Sequence, residues 1–171
     1  MDIIQQHLIP ALDRVGELFE SGKLFLPQLM NAAETAQGAF DLLKEAMPAS
    51  DKPSLGTVVV ATVEGDIHDI GKNIAKCIFE NYGYKVIDLG RDVPAQKVVD
   101  AVIANDVKLI GLSALMTTTL PSMAKTVALV HEKCPGCKVF CAGAVLTPEY
   151  AAEMGADYYA KDAKQAADIA K

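Results

Sequence analysis

The sequence predicts an α/β fold, a five-stranded parallel doubly wound sheet preceded by a short helical segment, and three observations carry that prediction. Apolar residues change from a helical to a strand-and-helix rhythm near residue 50. The strand candidates beyond that point are short, β-branched and almost continuously apolar, as strands covered on both faces are. Helical segments separate them at regular intervals, which is how parallel strands are joined.

Ile4, Leu8, Leu12, Val15 and Phe19 recur at helical spacing and form one apolar face, which Ser21-Gly22 ends. Leu26, Leu29, Ala33, Phe40 and Leu43 resume the period, with Pro27 tolerated in the first turn of a second helix. The polar stretch bracketed by Pro48 and Pro53 reads as a linker. The expected organisation is therefore a two-helix segment over 1–47, a linker over 48–55 and an α/β domain over 56–171. Strands are predicted at Thr57–Val63, Lys85–Leu89, Leu109–Ser113 and Lys138–Cys141, with a weaker one at Asp157–Ala160. Helices are predicted at 71–82, 94–104, 121–133, 148–154 and 162–170. Five such units match the flavodoxin-like order 2-1-3-4-5.

Composition removes several classes of function. With 171 residues and 51% apolar content the chain can bury a core, so disorder is excluded. No apolar run approaches the roughly 20 residues of a membrane span, and no basic segment followed by an apolar one marks a secretory signal. A net charge of −6 with scattered lysines and arginines argues against a nucleic-acid surface. Six per cent aromatics and no Trp argue against a base-stacking platform. Cys77, Cys134, Cys137 and Cys141 read as reduced thiols, and a cytoplasmic protein is expected.

In a sheet of this order a ligand sits beyond the C-terminal strand ends at the switch point, which singles out the loops after strands one, three and four. The first reads Glu64-Gly-Asp66-Ile-His68-Asp69-Ile-Gly71. Imidazole suits a transition metal, and a carboxylate on its second nitrogen fixes the tautomer; the same residues also suit a helix start capped by an Asp. The second loop, Ser113-Ala-Leu115-Met-Thr117-Thr118-Thr119, offers hydroxyls to a ligand or to the next helix. The third, Cys141-Ala142-Gly143-Ala144, offers small residues for helix packing or for a ligand against the sheet. No phosphate-binding glycine loop is present, the third strand lacks the terminal Asp of a phosphorylated receiver, and the acidic first loop would repel a flavin phosphate. His131-x-x-Cys134-Pro-Gly-Cys137 has ligand-like spacing but falls on a turn, with Cys141 inside a strand, and reads as incidental thiols. Met30, Met47, Met116 and Met123 read as core filler.

Asp66-x-His68-x-x-Gly71, Ser113-x-Leu115 and Ala142-Gly143 together resemble the signature of the cobalamin-binding domain family of methyltransferases. The likeness extends to the cap plus cobalamin-binding module of methionine synthase and to the small corrinoid proteins of anaerobic methyltransferase systems. Val15-Gly-Glu-Leu-Phe19 through Leu26-Pro27 is similar to the helical cap that accompanies this domain. The chain departs from the pattern in carrying Ala142-Gly143 where the family usually has Gly-Gly. It also has room for two helices where the cap is a four-helix bundle, which implies a fragment or docking of the helix pair on the other domain or on a second chain.

The resemblance implies cobalamin or a related corrinoid, cycling between methylcobalamin and cob(I)alamin, held with its own base detached from cobalt and His68 in its place. Asp66 would hold the imidazole and Thr119 the carboxylate. Ser113, Leu115, Thr117 and Gly143 would line the channel for the nucleotide tail, with Ile67, Asp69, Ile70, Gly71, Met116, Thr118, Ala142, Ala144 and Ala163 completing the contacts. Phe19, Phe25 and Leu26 would cover the methyl-bearing face. The implied function is a methyl carrier between a donor-specific and an acceptor-specific methyltransferase, in a methionine synthase or in a methylamine, methanol or O-demethylating system. A reactivating reductase would be a further partner, and a dimer could form through the incomplete cap. Such a chain is a component and not a complete enzyme. A cobalamin-dependent sensor is the alternative.

Overall fold

The computed structural model describes residues 4–46 and 55–170. A π-helical turn at Ile4–Leu8 leads into α1 (Ile9–Glu20), followed by α2 (Leu26–Ala46). The expected linker over 48–55 lies outside the described residues except for Leu55, as does Met47. There follow β1 (Thr57–Thr62), α3 (Ile70–Asn81), β2 (Lys85–Asp88), α4 (Ala95–Asn105), β3 (Leu109–Ser113) and a 3-10 turn at Thr117–Thr119. The chain then forms α5 (Leu120–Lys133), β4 (Lys138–Ala142), α6 (Pro148–Glu153), β5 (Tyr158–Ala160) and α7 (Ala163–Ala170). The sheet is parallel throughout, in the predicted order β2-β1-β3-β4-β5.

Alternation along the strands divides the core into two layers. Val59 and Ala61 of β1, Ile110 and Leu112 of β3 and Val139 and Cys141 of β4 point to α4 and α5, where they meet Val98, Val102, Met123 and Val127. Val58, Val60 and Phe140 point the other way, to Ala75 and Phe79 of α3 and Ala166 and Ala167 of α7. Gly111 gives β3 its place beneath the Phe140 ring, since a Cβ there would come within 2.2 Å of Phe140 Cζ. β1 ends one residue early because Val63 leaves the ladder to bridge Val93.

The helical pair packs against the outside of α3 and α7. Leu12 joins the core layer under those helices, and the Tyr82 hydroxyl donates to Asp13 Oδ1. An apolar groove remains between the pair and α3, lined by Val15, Leu29, Ile74 and Ile78 among others. Met30, expected in the core, is instead 47% exposed on α2; it lies at the groove's edge because the two helices have too little partner surface to enclose it. Among the described residues no helix is long and apolar enough to cross a membrane.

The end of the sheet opposite the predicted site is tied by Asp157. Its carboxylate accepts from the Val139 N–H at 2.9 Å, from His131 Nε2 at 2.9 Å and from Lys138 Nζ at 2.7 Å. Burial raises the Asp157 pKa, but these donors outweigh it and hold the group below the usual carboxylate range. A folded-state pKa below the unfolded value of about 3.9 adds stability that is complete above that pH and is lost as pH falls through the folded value. The urea midpoint is therefore expected to fall between pH 5 and pH 3, and to fall less in an Asp157→Asn variant. His131 is thus engaged with Asp157. Burial pushes the Cys137 and Cys141 thiols up to about 12, and among the described residues no cluster of three or more His, Cys, Asp or Glu could hold a metal.

Candidate functional site

At the C-terminal edge of the sheet two of the three loops singled out by the switch-point rule, those after β1 and β3, meet around one carboxylate, and the third lines the neighbouring cavity. The Asp66 side chain is fully buried. Its Oδ1 accepts from the His68 backbone N–H at 2.9 Å and stands 2.8 Å from His68 Nδ1. Its Oδ2 accepts from the Leu115 N–H at 2.7 Å, the Thr119 hydroxyl at 3.0 Å and, more weakly, the Met116 N–H at 3.3 Å. Burial raises the Asp66 pKa, yet the His68 and Leu115 N–H groups, the His68 ring and the Thr119 hydroxyl overcome it and hold the carboxyl well below its usual range. An ionised carboxylate only accepts, so His68 Nδ1 carries the proton and the Nε2 lone pair is left for a ligand. The imidazole is accessible, with 44% of its side-chain surface exposed.

Local sequence produces this arrangement. The one-turn helix at Thr117–Thr119 swings Thr119 inward, where its single hydroxyl proton lies between Asp66 Oδ2 and the Met116 carbonyl at 2.8 Å. Asp69 stands at the N-cap of α3 without a side-chain capping bond, which leaves the capping role expected of this loop unfilled.

His68 lies on the rim of a cavity of about 590 Å³ that runs along the C-terminal edge, inside the range of about 300–1,000 Å³ typical of ligand pockets. Ile67, Asp69, Ile70, Gly71, Ser113, Leu115, Ala142, Gly143, Ala144 and Ala163 line it. Ser113 shares a hydrogen bond with Thr62 at 2.9 Å between hydroxyl oxygens. Met116, Thr117 and Thr118 do not line the cavity, and the two threonines are exposed. Phe19, Phe25 and Leu26 lie apart from it too: Leu26 faces the groove beside α3, Phe19 lines a second depression near Lys161, and Phe25 is 70% exposed.

Sequence reasoning missed the charges around the cavity. Lys72, buried in α3, donates to Asp88 Oδ1 at 2.5 Å and to Asn73 Oδ1 at 2.8 Å, so its charge is compensated inside the wall. Arg91, Lys161 and Asp162 also line the cavity. Their shared signal is position, because Arg91 follows β2 and Lys161-Asp162 follow β5 at the same sheet edge.

The residues present fit a large organic cofactor with a metal at one end. The exposed imidazole donor lines the cavity, and small residues (Gly71, Gly111, Ala114, Ala142, Gly143 and Ala144) form part of its wall. Gly143, with φ at +146°, is required by the chain's own packing at this wall, since a Cβ would meet the Ala114 carbonyl oxygen at 1.8 Å. Fold and site together define a cofactor-binding α/β module of flavodoxin-like topology. Two family models, each described as B12 binding domain, match residues 56–168 and 1–44. The chain is 42% identical to dimethylamine corrinoid protein 1 of Methanosarcina acetivorans over 173 residues, covering 99% of this chain and 81% of that one. A cobalamin-binding protein from Desulfitobacterium hafniense aligns with a TM-score of 0.83 at 36% identity, over 98% of this chain and 82% of its own. The methanol:cobalamin methyltransferase complex of Methanosarcina barkeri gives a TM-score of 0.83 at 33% identity, over 99% and 65%. The chain belongs to the B12 binding domain family, and its cofactor is cobalamin or a related corrinoid.

Proposed function

We propose that the chain is the corrinoid-carrying component of a methylamine-dependent methyl-transfer system. In this reading it receives a methyl group at a donor-specific methyltransferase and delivers it at an acceptor-specific one. One geometric observation supports it most: a buried carboxylate bridges a hydroxyl and an accessible imidazole that lines the cavity. The methylamine branch is favoured by similarity to relatives named dimethylamine and trimethylamine corrinoid proteins, at 42% and 38% identity over 99% and 95% of this chain.

The bound corrinoid supplies a cobalt centre that accepts and releases a methyl group. His68 would hold the cobalt through Nε2. Asp66 fixes the tautomer that frees this atom, and Thr119 fixes Asp66. With Nε2 unligated, the imidazole would be able to accept a proton there, and the carboxylate at Nδ1 would stabilise the resulting imidazolium. Leu115, Ala142, Ala144, Ala163 and the glycine at 143 leave a slot for the nucleotide tail, and the Ser113 hydroxyl provides a polar contact. Residues 1–47 form a cap segment, 48–55 a linker and 56–171 the binding domain. Phe19, Phe25 and Leu26, which lie apart from the cavity in this arrangement, would have to move over it to exclude water from the bound group. Phe25, Met30 and Leu42, exposed on the cap, offer apolar surface to a second copy. A reductase would be the further partner that keeps the bound corrinoid reduced.

The test is reconstitution with cobalamin under reducing conditions, followed by desalting and absorption spectroscopy. A red complex is expected, with an axial-imidazole spectrum that is lost in His68→Gly. A colourless protein, or an unchanged spectrum in the variant, overturns the reading. Dimethylamine with its methyltransferase should then methylate the loaded wild-type chain.

A further inference from the structure

We infer that Asp92 is a positioning residue for His68: a left-handed backbone and a carboxylate on the β2–α4 loop hold the β1–α3 loop in the form that presents the imidazole. The inference rests on the reading of His68 as axial ligand.

Asp92 has φ at +53°, a region that costs most L residues about 1–2 kcal/mol and is best tolerated by Asn and Asp. The conformation is used twice. The Asp92 N–H donates to the Asp66 carbonyl at 2.9 Å, and Asp92 Oδ1 accepts from the Gly65 N–H at 2.7 Å. Two consecutive residues just before His68 are thereby stapled to a neighbouring loop.

That loop is itself anchored to the sheet. The Thr62 N–H donates to the Gly90 carbonyl and the Val93 N–H to the Thr62 carbonyl, each at 3.0 Å, while Val63 bridges Val93. On its other side Asp66 is held through its carboxylate by Leu115 and Thr119. The Asp66 backbone is therefore fixed from the β2 side and its side chain from the β3 side. Both are needed for Oδ1 to meet the N–H and the Nδ1 of His68 at once. Strain retained beside a functional group, with its hydrogen bonds spent on that group's loop, is the pattern expected of a positioning device.

The test uses the full chain loaded with cobalamin and histidine labelled with heavy nitrogen. Paramagnetic resonance of the cobalt(II) state reads the fraction with an axial histidine nitrogen, and urea titration reports folding. Asp92→Ala, which loses the acceptor and disfavours the backbone, should lower the ratio of histidine-coordinated to uncoordinated cobalt about fivefold to tenfold. Asp92→Gly, which keeps the backbone and loses the acceptor, should also lower it. Asp92→Asn, which keeps both, should restore it to near the wild-type value. If Asp92→Ala does not fold, the Gly and Asn variants decide on the same criterion. An unchanged ratio in the Gly variant, or a loss in Asn as large as in Gly, overturns the role of Asp92 while leaving His68 in place. Absence of the histidine signal in the wild type overturns the His68 reading and this inference with it.

Discussion

Asp66→Ala is expected to lower both stability and cofactor affinity more than any other change in the loop. The carboxylate is fully buried and accepts from the backbone N–H groups of His68 and Leu115 and from the Thr119 hydroxyl. Alanine leaves the His68 and Leu115 N–H groups without that acceptor, while the Thr119 hydroxyl keeps the Met116 carbonyl, and each orphaned N–H costs about 1–3 kcal/mol. A total of about 3 kcal/mol or more is a large part of the roughly 5–15 kcal/mol that holds a domain together. It should appear as a clear fall in the urea midpoint of the apo protein. Asp66→Asn separates the two effects. Its carbonyl can replace one oxygen, but its amide group must face either the Leu115 and Thr119 donors or the His68 ring. An amide donating to Nδ1 would move the ring proton to Nε2 and remove the lone pair needed by cobalt. Cobalamin affinity in Asp66→Asn should fall about 10–100-fold, the usual effect of losing a ligand's supporting partner, with a smaller loss of stability than in alanine. Equilibrium dialysis with cobalamin measures the first and urea titration the second; full affinity in the Asn variant would remove Asp66 as the supporting partner of the His68 imidazole.

Gly143→Ala is the second large effect, and it is steric. The backbone φ of +146° is one that L residues avoid, and the new Cβ would lie 1.8 Å from the Ala114 carbonyl oxygen and 2.9 Å from its carbon. Those are backbone atoms, so relief requires β3 and β4 to separate where the Ala114 N–H donates to the Ala142 carbonyl at 3.2 Å. Strain of about 1–3 kcal/mol from the dihedral and about 1–3 kcal/mol from overpacking should bring the variant close to unfolding. Gly136→Ala is the control, since it has open space around it and no left-handed backbone. It should stay within about 0.5 kcal/mol of wild type. A Gly143→Ala protein with a wild-type midpoint and undiminished cobalamin binding would contradict the close approach of these two strands.

Much of the site was legible from position. Once strands and helices alternate, the switch-point rule names the loops carrying Asp66, Ser113 and Gly143 before any contact is known. The partnership of Thr119 with Asp66 followed from the resemblance, and in the structure the hydroxyl stands 3.0 Å from Oδ2. Thr117, Thr118 and Thr119 are alike as letters, yet only Thr119 is buried, because one 3-10 turn rotates the others to the surface. Asp92 escaped notice for a similar reason. Nothing in Gly90-Arg-Asp-Val-Pro announces a left-handed Asp, and its partners, the Gly65 N–H 27 residues away and the Asp66 carbonyl, belong to another loop.

Near-continuous apolar strands between amphipathic helices determine a doubly covered parallel sheet, because burial on both faces is the only way such strands leave water. That conclusion, the helical pair ahead of the sheet and the His68–Asp66 motif needed the sequence alone. Tertiary structure decided which donors reach Asp66, that Lys72 enters the cavity wall already paired with Asp88, and that Phe25 and Met30 stay at the surface. The reason is that hydrophobic periodicity is a property of neighbouring residues in the chain. A hydrogen bond across loops depends on where distant backbones end, and packing of the whole sheet sets that.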